Sequence, residues 1–348
     1  MKEDENAKLL SVLAGKRQDP VPIWLMRQAG RYLPEYREVR AKAGSFWTLC
    51  MTPELAAKIT LQPIERFGFD AAIIFSDILV VPFALGLDVS FDEGVGPRLL
   101  PVENSGGLER DMTIWSAKLA PCYEAMKMVR ASLDSSRALL GFAGAPWTLA
   151  TYLAEGGGSR DQKAAKLWGY RDPEGFASLL DLIGDCVADH LVAQLNAGAD
   201  AVQIFDSWAS GLSNSSFNEW VIRPTRRVVD KVRAANPAAK IIGFPRAATL
   251  QDYEAYVRET GVDALSLDTA VPMDWAAKTI GQDQNTPIQG NLDPIALIAG
   301  GKALSSAVEQ IMAATAGVPF IFNLGHGILP ETPLQHVADL VSQVRGAR

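Results

Sequence analysis

Four arginines, Arg27, Arg31, Arg37 and Arg40, stand within WLMRQAGRYLPEYREVR at residues 24–40. A guanidinium is a planar fork of N–H donors that grips a carboxylate through two bonds, each charge-assisted bond contributing roughly 1.5–3 kcal/mol. On one solvated helix this spacing would be ordinary surface charge, but Gly30 and Pro34 break a continuous helix through the segment. Glu35 and Glu38 are placed to neutralise Arg37 and Arg40 locally, whereas Arg27 and Arg31 have no acid near them in sequence. Recognition of an anion, most simply a carboxylate, by Arg27 and Arg31 is the first chemistry this pattern suggests.

Asp77 ends the apolar run IIFSD, so Ile73, Phe75 and Asp77 share one face of an extended chain. A carboxylate there is partly desolvated and seeks N–H donors or a cation. A structural pairing with an arginine of the opening segment would satisfy it equally well. Tyr152 precedes Glu155 and the glycines 156–158, which can bring backbone amides close to an anion; a packing role for its ring is the plainer reading. Asp206 and Ser207 end another apolar run, and alternation turns only one of them inward without saying which. His326 lies between glycines in FNLGHGILP, an unusual setting for a core histidine, while His190 and His336 sit in helical patterns and read as structural.

These residues need a frame that brings them together. Short apolar runs recur at 21–26, 70–75, 138–143, 201–205, 241–245, 264–267, 286–289 and 319–323, each followed by a turn and a segment with helical spacing. Runs without polar alternation suit parallel strands covered on both faces, and eight βα units predict an α/β fold, a single-domain (β/α)8 TIM barrel over 1–348 with a short N-terminal extension. A weak repeat agrees: GFDAAIIFSD, GADAVQIFD and GVDALSLD each enter a strand through Gly-x-Asp-Ala and leave it through Asp. Thr52-Pro53-Glu54 and Asp293-Pro294 read as helix starts, and 86–116 reads as an irregular insertion. Barrel chemistry sits at the C-terminal rim of the strands, which here collects Arg27, Arg31, Asp77, Tyr152, Ser207, Arg246, Asp268, Asn291 and His326. No lysine ends a strand, no His/Cys group has zinc-ligand spacing, and no Gly-rich phosphate loop follows a strand, so Schiff-base, zinc and nucleotide chemistries are disfavoured.

The 348 residues carry 33 Lys+Arg against 40 Asp+Glu, a net charge of -7 that argues against nucleic acid as the main partner. The longest uncharged run, 138–154, is short for a membrane span and interrupted by Gly and Pro, so it reads as a buried strand and its loop. Three scattered cysteines, Cys50, Cys122 and Cys186, suggest no disulfide framework and fit a reducing compartment. With no signal-like N-terminus, a cytoplasmic location is expected.

The stretches PIWLMRQAGRYLPEYR, FSDILVVP, GFAGAPWTLATYL, QGNLDP and NLGHG, in that order, resemble the motifs of the uroporphyrinogen decarboxylase family. The resemblance runs from about residue 20 to the C-terminus. It implies a (β/α)8 enzyme with no cofactor and no metal, which converts the four acetate arms of uroporphyrinogen III to methyls and gives coproporphyrinogen III and carbon dioxide. By motif matching, Asp77, Arg27 and Tyr152 are implied as catalytic, and Arg27, Gln28, Ala29, Arg31, Arg40, Asp77, Tyr152, Ser207 and His326 as substrate-binding. A homodimer with facing clefts is implied as well. One departure is FPRAAT after the fifth strand, where a lysine and glycines are expected in many relatives, which leaves Arg246 without an assignment. Two alternatives stand beside this reading. A zinc-dependent methyltransferase of similar fold would use a His-x-Cys pair, but His326 is followed by Gly327 and Ile328. A non-catalytic tetrapyrrole carrier would need the arginines but not Asp77.

Overall fold

The computed structural model describes residues 7–92 and 96–346; the first six residues of the expected N-terminal extension and residues 93–95 of the expected insertion lie outside them. In chain order the strands are β1 (Ala71–Ile73), β2 (Ser90–Asp92), β3 (Gly96–Arg98), β4 (Ala138–Gly144), β5 (Ala201–Asp206), β6 (Ile241–Pro245), β7 (Ala264–Ser266), β8 (Ile288–Leu292) and β9 (Phe320–Leu324). Seven of them form one curled parallel sheet in the order β1-β4-β5-β6-β7-β8-β9, alternating with helices, while β2 and β3 pair as an antiparallel hairpin. That hairpin gives regular structure to a stretch expected to be irregular. The uncharged run 138–154 becomes β4 followed directly by a helix, Pro146–Glu155, where a loop was expected.

The expected first strand is corrected. Residues 21–26 make a single parallel bridge, Ile23 to Phe322, with the Phe322 N–H donating to the Pro22 carbonyl at 2.9 Å and the Trp24 N–H to the Phe322 carbonyl at 3.3 Å. On the other side the Asp70 N–H donates to the Ile23 carbonyl at 2.9 Å, but the Ile23 N–H goes to the Asp70 carboxylate at 2.9 Å rather than to a strand carbonyl. Pro20 and Pro22 have no N–H to extend a ladder, and at Arg27 the backbone turns away with a positive φ of 62°. The regular ladder is thus a seven-stranded open sheet, with this bridging segment between β9 and β1, in place of eight regular strands.

The Gly-x-Asp-Ala repeat has a common physical cause. Asp70, Asp200 and Asp263 accept the N–H of Ile23, Leu139 and Ile241, near the start of a neighbouring strand, at 2.9, 2.7 and 2.9 Å. Each also meets an arginine, Arg345, Arg130 and Arg233, at 3.4, 2.9 and 3.0 Å. These brackets lock the N-terminal ends of the strands, opposite the rim, so the repeat is structural.

Inside the curl, Ala71, Ala138, Ala201 and Ala264 leave room for Leu9, Val12 and Leu13 of the helix Lys8–Leu13, which closes the lower end. Above them a buried polar layer crosses the interior. The Trp24 indole N–H donates to Gln289 Oε1 at 2.9 Å, and Gln289 Nε2 donates to Gln203 Oε1 at 3.1 Å and Ser266 Oγ at 3.0 Å. The bonds through Gln289 tie together the strands that carry these amides, while Gln203 Nε2 is left buried without a partner. Asp293 caps the helix Pro294–Ala299 by accepting from the Ile295 N–H at 2.8 Å, whereas Thr52 precedes Pro53–Phe67 with no side-chain cap bond. Cys50, Cys122 and Cys186 are free and buried. No described helix is long and apolar enough to cross a membrane.

Candidate active site

The opening segment is stapled to the sheet through its backbone. The Met26 N–H donates to Asn323 Oδ1 at 2.9 Å and the Ile328 N–H to the Met26 carbonyl at 2.9 Å. Gln28 is fully buried, its Oε1 accepting from the Leu25 N–H at 3.0 Å and its Nε2 donating to the Ala71 carbonyl at 3.0 Å. Its side-chain amide is therefore consumed in holding the loop. Ala29 offers only backbone groups. Between these anchors Arg27 is driven out into solvent from a left-handed backbone, a conformation that costs roughly 1–3 kcal/mol and persists only where surroundings enforce it.

The four arginines divide by partner. Arg37 donates to the carbonyls of Arg31 and Tyr32 at 2.9 and 3.3 Å and ties its helix, Pro34–Ala43, to the preceding turn. Glu35 does not neutralise its neighbours; it forms a two-bond pair with Arg66 at 2.7 and 2.9 Å. Among the described residues the guanidiniums of Arg27, Arg31 and Arg40 make no hydrogen bond or ion pair. Three cations thus stand unpaired on one short segment of an acidic protein.

Asp77 follows β1 and is half-buried. Its Oδ1 accepts from the Leu79 N–H at 2.8 Å, and among the described residues Oδ2 makes no hydrogen bond. Burial raises its carboxyl above the ordinary value, opposed by the Leu79 N–H and by the charge of Arg27. Arg27 is near enough to be felt but forms no ion pair with it, so the structural pairing allowed by the sequence is not what the fold builds. Tyr152, on the helix Pro146–Glu155, packs edge to face on Trp208 with ring centroids 5.9 Å apart. Its hydroxyl pKa is raised, first by burial, with Asp77 adding to the shift while Trp208 and Arg27 oppose it. Asp77, Arg27 and Tyr152 therefore share one electrostatic neighbourhood.

Core partition settles the Asp206–Ser207 ambiguity. Ala201 and Phe205 belong to the inner cluster and Val202 and Ile204 to the outer, so alternation sends Asp206 outward and Ser207 to the cleft side. Asp206 is fully buried against the helix of Tyr152, where the Thr148 hydroxyl donates to its Oδ1 while Oδ2 has no partner. Thr148 Oγ1 also accepts from the Trp208 N–H at 3.1 Å, and the Trp147 indole donates to the Trp208 carbonyl at 2.8 Å. Helix 146–155 and the Ser207 turn are thereby clamped together.

Burial pushes the Asp206 carboxyl up to about 7. Because the folded value lies above the ordinary 3.8, its contribution to stability is complete below that value and lost as pH rises toward about 7. The full loss at pH 8 is on the order of 4 kcal/mol at most. Asp206→Asn, which keeps an oxygen for Thr148, is expected to raise Tm at pH 8 and to change it little at pH 4. A Tm difference that does not depend on pH would contradict this.

His326 is half-buried after β9, its imidazole pushed down to about 4 by burial and then by Arg27 and Arg246, with Asp268 opposing. It is neutral at pH 7 and able to donate one N–H. Its flanking glycines have separate reasons. A Cβ on Gly325 would lie 2.3 Å from the Thr269 N, and one on Gly327 would lie 2.3 Å from Arg27 Cδ. The second glycine makes room for the Arg27 stem. Sequence reading missed the floor of the cleft: Phe142 and Phe205, both half-buried, and Phe244 meet edge to face at 5.6 and 5.9 Å. They lie two residues before Gly144, Ser207 and Arg246, so strand alternation was the signal available for them.

A carboxylate with one spare oxygen, unpaired guanidiniums and an aromatic floor suit a large, flat ligand with anionic edges. A family model described as uroporphyrinogen decarboxylase (URO-D) matches residues 4–347. The chain is 53% identical over 341 residues to a protein named uroporphyrinogen decarboxylase from Chelativorans sp. (strain BNC1), with 98% of each chain covered. It is 50% identical over 343 residues to the one from Brucella canis, with 99% of each covered. A solved structure, a methyltransferase from Methanosarcina mazei, has a TM-score of 0.81 at 21% identity over 97% of each chain, a likeness of fold alone. From matches of this length and identity, the chain belongs to the uroporphyrinogen decarboxylase family of carboxy-lyases.

Proposed function

We propose that this protein removes the four acetate carboxyls of uroporphyrinogen III, leaving methyls in coproporphyrinogen III and releasing four carbon dioxide molecules. The observation that carries the reading is Asp77, a half-buried carboxylate with one spare oxygen, within reach of the charge of Arg27, whose guanidinium makes no ion pair among the described residues. The substrate bears eight carboxylates, and a chain of net charge -7 holds it only where cations are concentrated. Arg27, Arg31 and Arg40 supply that patch, His326 and Ser207 donate to carboxylate arms, and the phenylalanine floor meets the macrocycle. Gln28 and Ala29 contribute backbone placement.

Loss of carbon dioxide from an acetate arm needs an electron sink. Protonating the electron-rich pyrrole supplies it, and the positive ring is stabilised by the Asp77 carboxylate against the pyrrole N–H groups. The electrons of the breaking C–C bond then flow into the ring and leave an exocyclic methylene; a second proton completes the methyl, and the first proton leaves the ring carbon, which restores the neutral pyrrole. Guanidinium is too weak an acid to give the first proton readily. A water polarised by Arg27 is the better donor, with Tyr152 lining the same space. We read the bridging segment 22–24 as the eighth stave of one closed (β/α)8 barrel spanning the chain, and the protein as a cytoplasmic homodimer with facing clefts and no nucleic-acid or membrane partner.

Anaerobic incubation of metal-stripped protein with uroporphyrinogen III, with products separated by carboxylate number, tests the activity. Stepwise seven-, six-, five- and four-carboxylate species are expected; binding without product would indicate a carrier, and activity restored only by zinc would indicate methyltransferase-like chemistry. Within this reading, Gly327→Ala is expected to lower kcat/KM about 10²-fold by displacing Arg27 without removing it, since misplacement of about 1 Å has effects of that size. Wild-type kinetics in that variant would show that the Arg27 position is unimportant.

A further inference from the structure

We propose that Arg246 is a further anchor for the tetrapyrrole, binding a propionate carboxylate that persists through all four decarboxylations. The inference rests on the decarboxylase reading for the identity of the ligand, but its geometry stands apart. Ile242 and Phe244 of β6 point into the inner cluster, so alternation places Arg246 on the same face, above the phenylalanine floor. Its backbone N–H donates to the Asp206 carbonyl at 3.0 Å, which sets it beside the Ser207 turn. Its charge is felt at His326 together with that of Arg27, so it faces the cleft from the side of β5 and β6.

The turn that carries it is rigid. Ala247 adopts a left-handed backbone with φ 58°, and its N–H donates to Asp268 Oδ2 at 2.7 Å. The Tyr253 hydroxyl donates to the same oxygen, and the Ala270 N–H to the other oxygen at 2.8 Å. The acid that opposes Arg246 at His326 is therefore already held by three donors, none of them a guanidinium.

Arg246 is half-buried, and among the described residues its guanidinium has no hydrogen bond or ion pair. At the opposite end of the strands, the partly buried Arg130 and Arg233 and the exposed Arg345 each have a carboxylate within 3.4 Å. A partly desolvated cation left unpaired where its counterparts are paired is a site awaiting an anion. An anchor gripping the same carboxylate before and during reaction changes KM and leaves kcat alone.

The test compares wild type with Arg246→Gln and Arg246→Lys in two measurements: anaerobic turnover of uroporphyrinogen III, and quenching of uroporphyrin fluorescence on binding, which needs no turnover. Loss of one charge-assisted bond predicts that Arg246→Gln raises both KM and the uroporphyrin Kd about 10- to 100-fold with kcat within about threefold. Its Tm should be unchanged, and Arg246→Lys should recover part of the affinity. Unchanged KM and Kd, or a fall in kcat alone, would overturn the anchor. If wild-type protein binds uroporphyrin but turns nothing over, the decarboxylase reading fails while the Kd comparison still decides Arg246. Absence of uroporphyrin binding by wild type would overturn both.

Discussion

Asp77→Asn is expected to lower kcat for uroporphyrinogen III by about 10²–10³-fold, the size of effect seen when a preorganised group facing developing charge is lost. Substrate Kd should change far less, because Asn keeps an oxygen for the Leu79 N–H and does not disturb the guanidiniums that hold the carboxylates. The distinction is physical. Neutral pyrrole N–H groups are served nearly as well by an amide oxygen, whereas the positive ring formed on protonation needs full negative charge. Burial raises the Asp77 carboxyl, and Arg27 together with the Leu79 N–H holds the shift back. Asp77 must be ionised to act, so activity in the wild type should fall on the acid side, through a value above that of an ordinary aspartate. Stopped-time assays of kcat alongside equilibrium binding check both parts; a variant with wild-type kcat would remove charge stabilisation from the account.

Arg27→Ala is expected to have an effect at least as large, lowering kcat/KM by about 10²–10⁴-fold, the equivalent of losing two charge-assisted bonds to one carboxylate. Two consequences separate this from a general loss of fold. The Asp77 carboxyl should rise further, since its opposing guanidinium is gone, and the acid limb of the pH profile should move upward with it. His326 should become easier to protonate for the same reason. Arg27→Lys keeps the charge but not the planar fork, so it should restore the pKa effects more fully than the rate. Steady-state kinetics across pH, with NMR titration of the His326 ring, reads each of these. An unshifted pH profile in Arg27→Ala would contradict the shared neighbourhood of Arg27 and Asp77.

Much of this was legible in sequence because it rests on local pattern. Apolar runs at 138, 201, 241 and 319 became strands within a residue or two of where hydrophobic continuity placed them. Asp77, Tyr152, Ser207 and His326 all follow strands, so the C-terminal rim rule gathers them without knowledge of contacts. What stayed hidden depends on residues far apart in the chain. Gln28 resembles its polar neighbours in sequence, and only its bond to the Ala71 carbonyl reveals a structural amide. The choice between Asp206 and Ser207 needed the division of β5 between inner and outer cores. The 21–26 run has strand composition, but its prolines and the Asp70 carboxylate displace the ladder, which no periodicity reports. Glu35 looked like the partner of Arg37 by proximity and instead chose Arg66, 31 residues away.

The most direct test of the central claim is the structure of the protein crystallised anaerobically with coproporphyrinogen III. The account predicts the macrocycle seated over Phe142 and Phe205, its pyrrole N–H groups converging on the Asp77 carboxylate and its propionates on the unpaired arginines. A tetrapyrrole bound with its N–H groups turned away from Asp77 would contradict it.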